Sequence, residues 1–272
     1  MKISVIITTF NAAKYLSKAV ESFLIQDYPN KELLIVDDIS TDGTHDIIAT
    51  YQQKFPGVIK WIKQKDSGIS QARNIALKHV TGDLVGFLGA DDFLHKNFFA
   101  KMNYYLEANP DFDVIYFNSY SIGGNCGFDN SAAKTVTVRN LIKHCPIGSG
   151  ESFYYRKEVF DLLKFNEKNR YSMDYELNMA LASSVKANGK KYVFFPVNIT
   201  SVFNVHTGEN ISSASGAKQR LETIAVQLKY AKKPLERARI LWRGKKQIVK
   251  NFTQFCLISK SITSAIPTAK NT

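Results

Sequence analysis

Two pairs of neighbouring aspartates, Asp37-Asp38 and Asp91-Asp92, are the residues of this chain best suited to bind a cation or hydroxyl groups. Asp37-Asp38 directly follow a short apolar run that is typical of a buried strand, and Asp91-Asp92 follow another such run after two small residues. A single such pair is better explained as a helix cap or a turn, because Asp is common in both. Two pairs at one edge of one sheet are harder to explain in this way. Clustered carboxylates repel each other unless a divalent cation or hydroxyl donors lie between them.

The elements that must position these aspartates alternate between strands and helices. Apolar runs of strand length occupy residues 2–8, 33–36, 58–62 and 84–88, and helical patterns begin near Asn11, Asp42 and Ser70. This alternation predicts βαβ units and a mostly parallel sheet. In such sheets ligands bind beyond the carboxyl ends of the strands. Because Thr8 and Asn11 follow the first strand, we expect them at the same edge as both aspartate pairs.

Four polar motifs follow these strands in the order and spacing of inverting glycosyltransferase family 2, which the chain resembles. The motifs occupy residues 4–11, 36–44, 68–74 and 82–92. The resemblance is specific for residues 1–92, can be traced to about residue 213, and is absent beyond that point. It implies the α/β GT-A fold, in which a Rossmann-like, mostly parallel central sheet is flanked by helices, here with a basic helical extension at the C-terminus.

The resemblance also predicts how the chain is divided. Residues 1–217 are expected to form the GT-A domain. Within it, residues 1–92 form a nucleotide-sugar-binding half and residues 93–217 an acceptor-binding and catalytic half. Residues 218–272 are expected to form a separate basic amphipathic helical tail.

The activity implied by the resemblance is that of a hexosyltransferase. It would transfer a sugar from a UDP- or dTDP-linked nucleotide diphospho-sugar to a hydroxyl of a glycan or lipid-linked acceptor, in bacterial cell-surface polysaccharide synthesis. By the same resemblance Thr8, Asn11 and Asp38 bind the nucleotide, and Asp38 accepts a hydrogen bond from a pyrimidine ring. Arg73 would reach the base or the phosphates. Asp37 either takes part in binding or only braces the loop.

Asp91 and Asp92 match the metal and ribose motif of the family. Asp92 and Asp91 are the predicted ligands of Mn²⁺ or Mg²⁺, and Asp91 is also a predicted nucleotide-sugar ligand. Many members carry Asp-x-Asp-Asp, whereas this chain has Gly89 at the first position, so weaker binding of metal or donor is expected. His206 stands where some relatives place a metal or diphosphate ligand, and a purely structural histidine is the alternative.

The general base that removes the acceptor proton is expected in the middle of the chain. Asp174 matches the second acid of a family segment that precedes a helix, and Met173 replaces the first acid. Asp174 would also suit a helix N-cap, and Glu176 is the fallback base. Residues 146–152 stand where the family's acceptor loop lies, although an ordinary flexible turn explains their small side chains equally well.

The positive charge of the chain is concentrated in its tail. Residues 218–272 contain 13 Lys and Arg against 2 Glu, or +11, so the 23 basic and 22 acidic residues before them leave the body at +1. After Pro234 the apolar residues recur on one arc of about 160° of a helix with basic residues beside it. The arc predicts either packing on the body or docking on an anionic bilayer.

Composition excludes several other classes of protein. The chain contains no apolar run approaching the ~18 residues of a membrane-spanning helix, and its first residues do not form a signal peptide. Three cysteines without metal-ligand spacing predict thiols in a reducing compartment. We therefore expect a cytoplasmic protein, which docking of the tail would place on the inner face of the cytoplasmic membrane.

Two other functions compete with catalysis. Because Gly89 and Met173 replace acids of the family motifs, a degenerate module that binds a nucleotide-sugar without turnover is the alternative. A nucleic-acid partner is not expected, because the basic tail carries no recognition motif.

Overall fold

The computed structural model describes residues 1–65, 68–123, 127–144, 150–206 and 216–245. The first half contains β1 Ile3–Thr9, α1 Leu16–Leu24, β2 Lys31–Asp37, α2 Thr44–Lys54, β3 Ile59–Lys63, α3 Ile69–Leu77 and β4 Leu84–Gly89. The middle contains β5 Phe93–Leu94, α4 Phe98–Ala108, β6 Val114–Ile122, β7 Gly127–Asp129, α5 Val138–His144, β8 Phe153–Arg156 and α6 Val159–Leu162. The remainder contains α7 Met173–Ser183, β9 Phe194–Val205, α8 Gly216–Tyr230 and a helix, α9, at residues 234–245.

The strands of the described residues form one sheet in the order β3-β2-β1-β4-β8-β6-β9-β5, with β7 paired to β6. The pairs β2–β3, β1–β2 and β1–β4 are parallel, as the sequence predicts. The second half is mixed, because β8 enters antiparallel between β4 and β6. The parallel half brings the carboxyl ends of β1, β2 and β4 together, since Thr8 lies opposite both Val36 and Gly89.

Helices cover both faces of the parallel half of the sheet. On one face α1 packs Leu16 and Phe23 against the side chains of Val5 and Ile7. On the other face the short side chain of Ala76 in α3 packs near Ile6. Because both faces are buried, the strands are almost continuously apolar and do not alternate with polar residues.

The first helix begins later than its apolar pattern predicts. The pattern opens at Asn11, whereas α1 begins at Leu16. The intervening backbone bonds to the loop after β2 instead, because the N–H groups of Asn11 and Ala12 donate to the hydroxyls of Ser40 and Thr44. Donors that a helix would leave without partners at its N-terminus are thereby used to join two loops at the ligand edge.

The tail packs on the body, and its contacts cross the predicted boundary at residue 217. Val226 and Ala231 of the α8 region and Ile240 of α9 belong to the same hydrophobic core as Phe87 of β4. The helix α9 lies close to α8, because a Cβ atom at Gly244 would come within 2.6 Å of Ile224. The described part of the tail is therefore an integral part of the folded body.

The apolar arc predicted for the tail faces away from that body. Leu235, Leu241 and Trp242 are 63%, 55% and 64% exposed, whereas Ile240, which the pattern placed off the arc, is 1% exposed. Residues of the arc beyond 245 lie outside the described part of the chain. Among the helices that the structure describes, none combines the length and the apolar character needed to cross a bilayer.

Candidate active site

The loops after β1 and β2 are joined at the ligand edge of the sheet. The side-chain oxygen of Asn11 accepts a hydrogen bond from the N–H of Thr41 at 2.9 Å. The N–H of Asp38 donates to the carbonyl oxygen of Thr9 at 3.0 Å. Thr8 is half-buried beside them. The structure thus brings Thr8, Asn11 and Asp38, the predicted nucleotide ligands, to one edge.

Asp37 is the internal brace of this edge. It is fully buried, and its carboxylate accepts hydrogen bonds from the N–H and hydroxyl of Ser40 and contacts His45 Nε2 at 2.7 Å. Of its two predicted roles, these contacts favour bracing. The backbone of Ile39 beside it has φ of +50°, a strained conformation for a β-branched residue that persists where surrounding contacts hold it. The loop that carries Asp38 is therefore held in one shape.

The carboxylates of Asp91 and Asp92 lie over Gly89. A Cβ atom at position 89 would come within 2.6 Å of Asp92 Oδ2 and 3.0 Å of Asp91 Oδ1. Asp92 Oδ1 accepts from the N–H of Val205 at 2.8 Å, and its Oδ2 accepts from Asn204 Nδ2 at 2.9 Å. Asp92 therefore fastens the end of β9 to the end of β4, in a space that only glycine at position 89 leaves open.

Burial raises the pKa of Asp92 well above its usual range. The nearby carboxylates of Glu151 and Asp91 raise it further, and the hydrogen bonds from Val205 and Asn204 only partly oppose this. The region between β4 and β9 is thus rich in negative charge. A divalent cation or hydroxyl donors would relieve this repulsion.

The carboxylate oxygens at Asp91 and Asp92 would hold Mg²⁺ or Mn²⁺ only together with oxygen atoms of a bound substrate. Carboxylate oxygens are the ligands that Mg²⁺ and Mn²⁺ prefer. Within the described ranges, no group of three or more His, Cys, Asp and Glu side chains is placed to hold an ion. His206 directly follows the residue that binds Asp92, and its N–H donates to the carbonyl oxygen of Ile122. The protein side of the site is therefore suited to supply one or two carboxylates, with substrate phosphates completing the coordination.

Arg73 lies beside Asp174, with its guanidinium turned to residues of the second half of the chain. Arg73 is 4% exposed, and its guanidinium carbon is 4.6 Å from the ring centre of Phe87 and 5.3 Å from that of Phe165. Its Nη1 binds Asp174, and its Nη2 lies 3.6 Å from Glu151 Oε1. The predicted role of Arg73 in donor binding remains a prediction. In this structure the guanidinium pairs with the carboxylates of Asp174 and Glu151.

Two further residues of the same motif also bind residues of the second half of the chain. Ser70 Oγ donates to the carbonyl oxygen of Asn169 at 2.6 Å. The side-chain amide of Asn74 donates to the carbonyl oxygen of Phe165 at 2.9 Å and accepts from its N–H at 3.0 Å. Positions 70, 73 and 74 share one face of α3 because residues three and four apart are neighbours on a helix. This helical spacing was the signal in the sequence that could have predicted a shared contact surface for the three residues.

Asp174 lies in the first turn of α7, whose N-cap is Ser172. Asp174 is therefore not the cap that its alternative role required. Its side chain is 20% exposed, and a Cβ atom at Gly150 would overlap its carboxylate. Gly150 thus lets the backbone approach the carboxylate of the candidate base directly. The next residue, Glu151, was not among the predicted site residues. Residues 146–149 of the predicted acceptor loop lie outside the described residues.

Glu176, the fallback base, has both carboxylate oxygens engaged. Its Oε2 accepts from the side-chain amides of Asn166 and Asn169, and its Oε1 accepts from Lys229 at 2.9 Å. Burial would raise the pKa of Glu176, but these hydrogen bonds, led by that of Lys229, hold it below its usual value. Glu176 thus ties α7 to α8, and this geometry favours Asp174 as the base.

Comparison with known proteins identifies the family of this chain. The model of the family "Glycosyl transferase family 2" matches residues 4–163, which is more than half of the chain. The chain therefore belongs to glycosyl transferase family 2. It is 28% identical over 198 residues to the minor teichoic acid biosynthesis protein GgaB of Bacillus subtilis, covering 68% of this chain and 21% of GgaB. It thus spans about a fifth of the length of that relative.

Two further matches extend beyond the region of the family model. A dolichyl N-acetyl-α-D-glucosaminyl phosphate glucuronosyltransferase of Methanococcus voltae is 30% identical over 224 residues, which is 78% of this chain and 66% of that protein. The crystal structure of Staphylococcus aureus TarS 1–349 with UDP-GlcNAc superposes with a TM-score of 0.67 at 24% identity, covering 88% of this chain and 69% of that one. The likeness to TarS shows that the fold is GT-A.

Proposed function

We propose that this chain is an inverting glycosyltransferase that moves a sugar from a nucleotide diphospho-sugar to an acceptor hydroxyl. The observation that carries the proposal is a continuous set of charged groups from the aspartate pair after β4 to the candidate base. Besides burial, the carboxylates of Glu151 and Asp91 raise the pKa of Asp92. Glu151 in turn lies 3.6 Å from Arg73, and Arg73 binds Asp174. Carboxylates suited to hold the cation of a diphosphate thus lie in one series with a group suited to deprotonation.

In the proposed reaction Asp174 removes the proton of the acceptor hydroxyl while that oxygen attacks the anomeric carbon of the donor. As the new glycosidic bond forms, the bond from that carbon to the diphosphate oxygen breaks and the nucleoside diphosphate leaves. Arg73 is proposed to hold the Asp174 carboxylate in one orientation, because its guanidinium itself packs against two aromatic rings. A single carboxylate base supports direct displacement. The product is therefore expected to carry the inverted anomeric configuration.

Thr8, Asn11 and Asp38 are the proposed nucleotide ligands, with Asp38 accepting from the ring N–H of a pyrimidine. Their positions on the joined loops after β1 and β2 support this role. The UDP-GlcNAc complex of the TarS fragment supports a uridine donor, and a dTDP-sugar offers the same pyrimidine N–H.

Asp91 is the proposed protein ligand of Mn²⁺ or Mg²⁺, with Asp92 beside it and His206 as a further candidate. Such a cation, when bound, neutralises the charge that develops on the leaving diphosphate. Asp92 has a second task, because its two oxygens hold the end of β9.

The proposed acceptor is a bacterial cell-surface polysaccharide under construction or its lipid-linked precursor. The names of two relatives support it: GgaB is named for teichoic acid biosynthesis, and the Methanococcus protein for transfer to a dolichyl N-acetylglucosaminyl phosphate. A lipid-linked acceptor would have to be met at a membrane surface.

We also propose that α9 docks on an anionic bilayer, which would keep the enzyme on the inner face of the cytoplasmic membrane. Leu235 and Leu241 are turned to solvent, and exposed basic residues such as Arg239 and Lys245 accompany them on α9. With a net charge of +11 in residues 218–272, this combination of apolar and basic residues is typical of helices that bind anionic lipid surfaces.

A donor-binding module without turnover is the second candidate function, since Gly89 and Met173 replace acids of the family motifs. Two observations favour the enzyme. Gly89 leaves the space that the two aspartates fill, and Asp174 keeps a partner that orients it. Transfer of sugar by the purified protein separates the two functions.

The experiment that tests the enzyme combines a donor screen with one substitution. Melting temperatures are measured with UDP- and dTDP-sugars, with and without Mn²⁺, because a bound ligand raises apparent stability. With the stabilising donor, Asp174→Asn should lower transfer by about 10²–10⁴-fold, the usual contribution of a general base, while its donor-induced shift persists. Glu176→Gln, the matched control, should instead lower stability. Loss of transfer in Glu176→Gln, together with normal transfer in Asp174→Asn, would identify Glu176 as the base.

A further inference from the structure

The helix α8 binds the backbone that leads into α7. The N–H of Arg170 donates to Glu222 Oε1 at 3.0 Å, and the N–H groups of Tyr171 and Ser172 donate to Glu222 Oε2 at 2.6 and 3.1 Å. Three consecutive backbone donors therefore converge on one carboxylate. The last of them belongs to the N-cap of α7, two residues before Asp174.

Glu222 holds the backbone just before α7 and does not cap the helix, because its donors are the N-cap residue and the two residues before it. The side chain of Ser172 does not cap its own helix. Its hydroxyl lies 2.8 Å from that of Thr223 and donates to the carbonyl oxygen of Gln219 on α8. A carboxylate beside a helix N-terminus is also favoured by the helix dipole. The start of α7 is thus anchored from another helix, 50 residues away along the chain.

The opposite side of the same segment is held by α3. Ser70 and Asn74 bind the backbone of Asn169 and Phe165, and Arg73 binds Asp174 itself. The segment before the base therefore lies between a helix of the nucleotide-binding half and a helix that the sequence assigns to the tail. Release of either contact would let the first turn of α7 move relative to Arg73.

We propose that Glu222 is a positioning residue for the catalytic base, one that fixes the first turn of α7 so that Asp174 meets both Arg73 and the acceptor hydroxyl. The inference rests on the proposed role of Asp174. It assigns a catalytic contribution to a helix whose charge and composition alone indicate only a surface tail. Misplacing a reacting group by about 1 Å can cost about 10²-fold in rate, so a backbone anchor two residues away is expected to matter.

The test uses the full chain and two substitutions. Glu222→Ala should lower kcat for transfer by about 10–100-fold, while the KM for the donor stays within about twofold, because the nucleotide loops are not touched. Glu222→Gln should recover part of the loss, since its amide oxygen can still accept one or two of the three N–H groups. Glu236→Ala, which removes the other acidic residue of the tail, is the control and should leave kcat unchanged.

A double-mutant cycle separates positioning from simple loss of stability. If Glu222 acts through the base, Glu222→Ala should have little effect on single-turnover transfer in an Asp174→Asn background. An equal effect in both backgrounds, or a wild-type kcat for Glu222→Ala, would overturn the proposal. Should Glu222→Ala fail to melt cooperatively, Glu222→Gln carries the same comparison. An Asp174→Asn variant that transfers normally refutes the proposed base itself, whereas an inactive one beside normal Glu222 variants refutes only the anchor.

Discussion

Gly89 shows how one residue can decide the geometry of a charged site. Its missing side chain leaves the space in which the carboxylates of Asp91 and Asp92 lie. The sequence led us to expect that the absent aspartate weakens metal or donor binding. That expectation stays a prediction. In the structure a Cβ atom at this position would come within 2.6 Å of Asp92 Oδ2, and Asp92 holds the end of β9 through Val205 and Asn204.

We therefore predict that restoring the family's residue by Gly89→Asp damages the protein. Overpacking of this kind typically costs about 1–3 kcal/mol, and displacement of Asp92 should also lower kcat/KM for the donor by at least about tenfold. Thermal unfolding and initial rates measure the two effects. Gly127→Ala is the control, since a Cβ atom there has no neighbour within 4 Å. Tighter donor binding by Gly89→Asp in Mn²⁺ would contradict this account.

Among the elements, the start of β2 is tied to β1 and to the turn before β4 by one carboxylate. Glu32 accepts hydrogen bonds from Lys2 Nζ, Ser4 Oγ and both the N–H and hydroxyl of Thr81. Burial would raise its pKa, but these bonds lower it from 4.5 to about 2. The folded-state pKa lies below the unfolded one, so the contribution to stability is present above about pH 4.5 and is lost as the pH falls towards 2.

Glu32→Gln is therefore predicted to lower the free energy of unfolding at pH 7 by up to about 3 kcal/mol, and the difference from wild type should narrow at pH 3. Urea unfolding at both pH values measures it. Glu107→Gln on α4, whose carboxylate accepts from Asn103 alone among the described contacts, provides the comparison and should change little. A difference for Glu32→Gln that is the same at both pH values would show that its ionisation is not what stabilises the strands.

At the scale of the whole molecule, the tail has an inner and an outer side. Its inner side completes the core through Val226 and Ile240 and anchors α7 through Glu222. Its outer side carries Leu235 and Leu241. Deletion of residues 218–272 would therefore disturb the fold together with any membrane binding, so substitutions on the outer side are the appropriate test.

We predict that the full-length protein sediments with vesicles of phosphatidylglycerol and phosphatidylcholine, and less so with added salt, because charge attraction is screened over ~8–10 Å. The double substitution Leu235→Gln and Leu241→Gln in one protein should weaken vesicle binding by at least about tenfold, since burial of each leucine contributes roughly 1.5–3 kcal/mol. Leu162→Gln replaces a leucine on α6 that is 65% exposed and is the matched control. Equal sedimentation of all three proteins, or none for wild type, would refute docking through α9.

Much of the fold could be predicted from local patterns in the chain. Runs of apolar residues and helical periodicity identified β1 to β4 and the helices between them, because hydrophobic period follows the geometry of each element. The parallel arrangement then predicted that Thr8, Asp38 and Asp91 meet at one edge. The resemblance to the family added Asp174, which no local pattern separates from a helix cap.

The destinations of single side chains depended on contacts that no local pattern contains. Arg73 meets Asp174 across 101 positions of sequence, and Glu222 meets the start of α7 across about 50. The apolar arc of α9 faces outward because the other face of the helix packs on the body. On that inner face Gly244 has no side chain, so α9 can approach Ile224 closely. Hydrophobic periodicity shows that a helix has an apolar face, but long-range packing selects which face is buried, because that choice depends on the shape of the surface it meets.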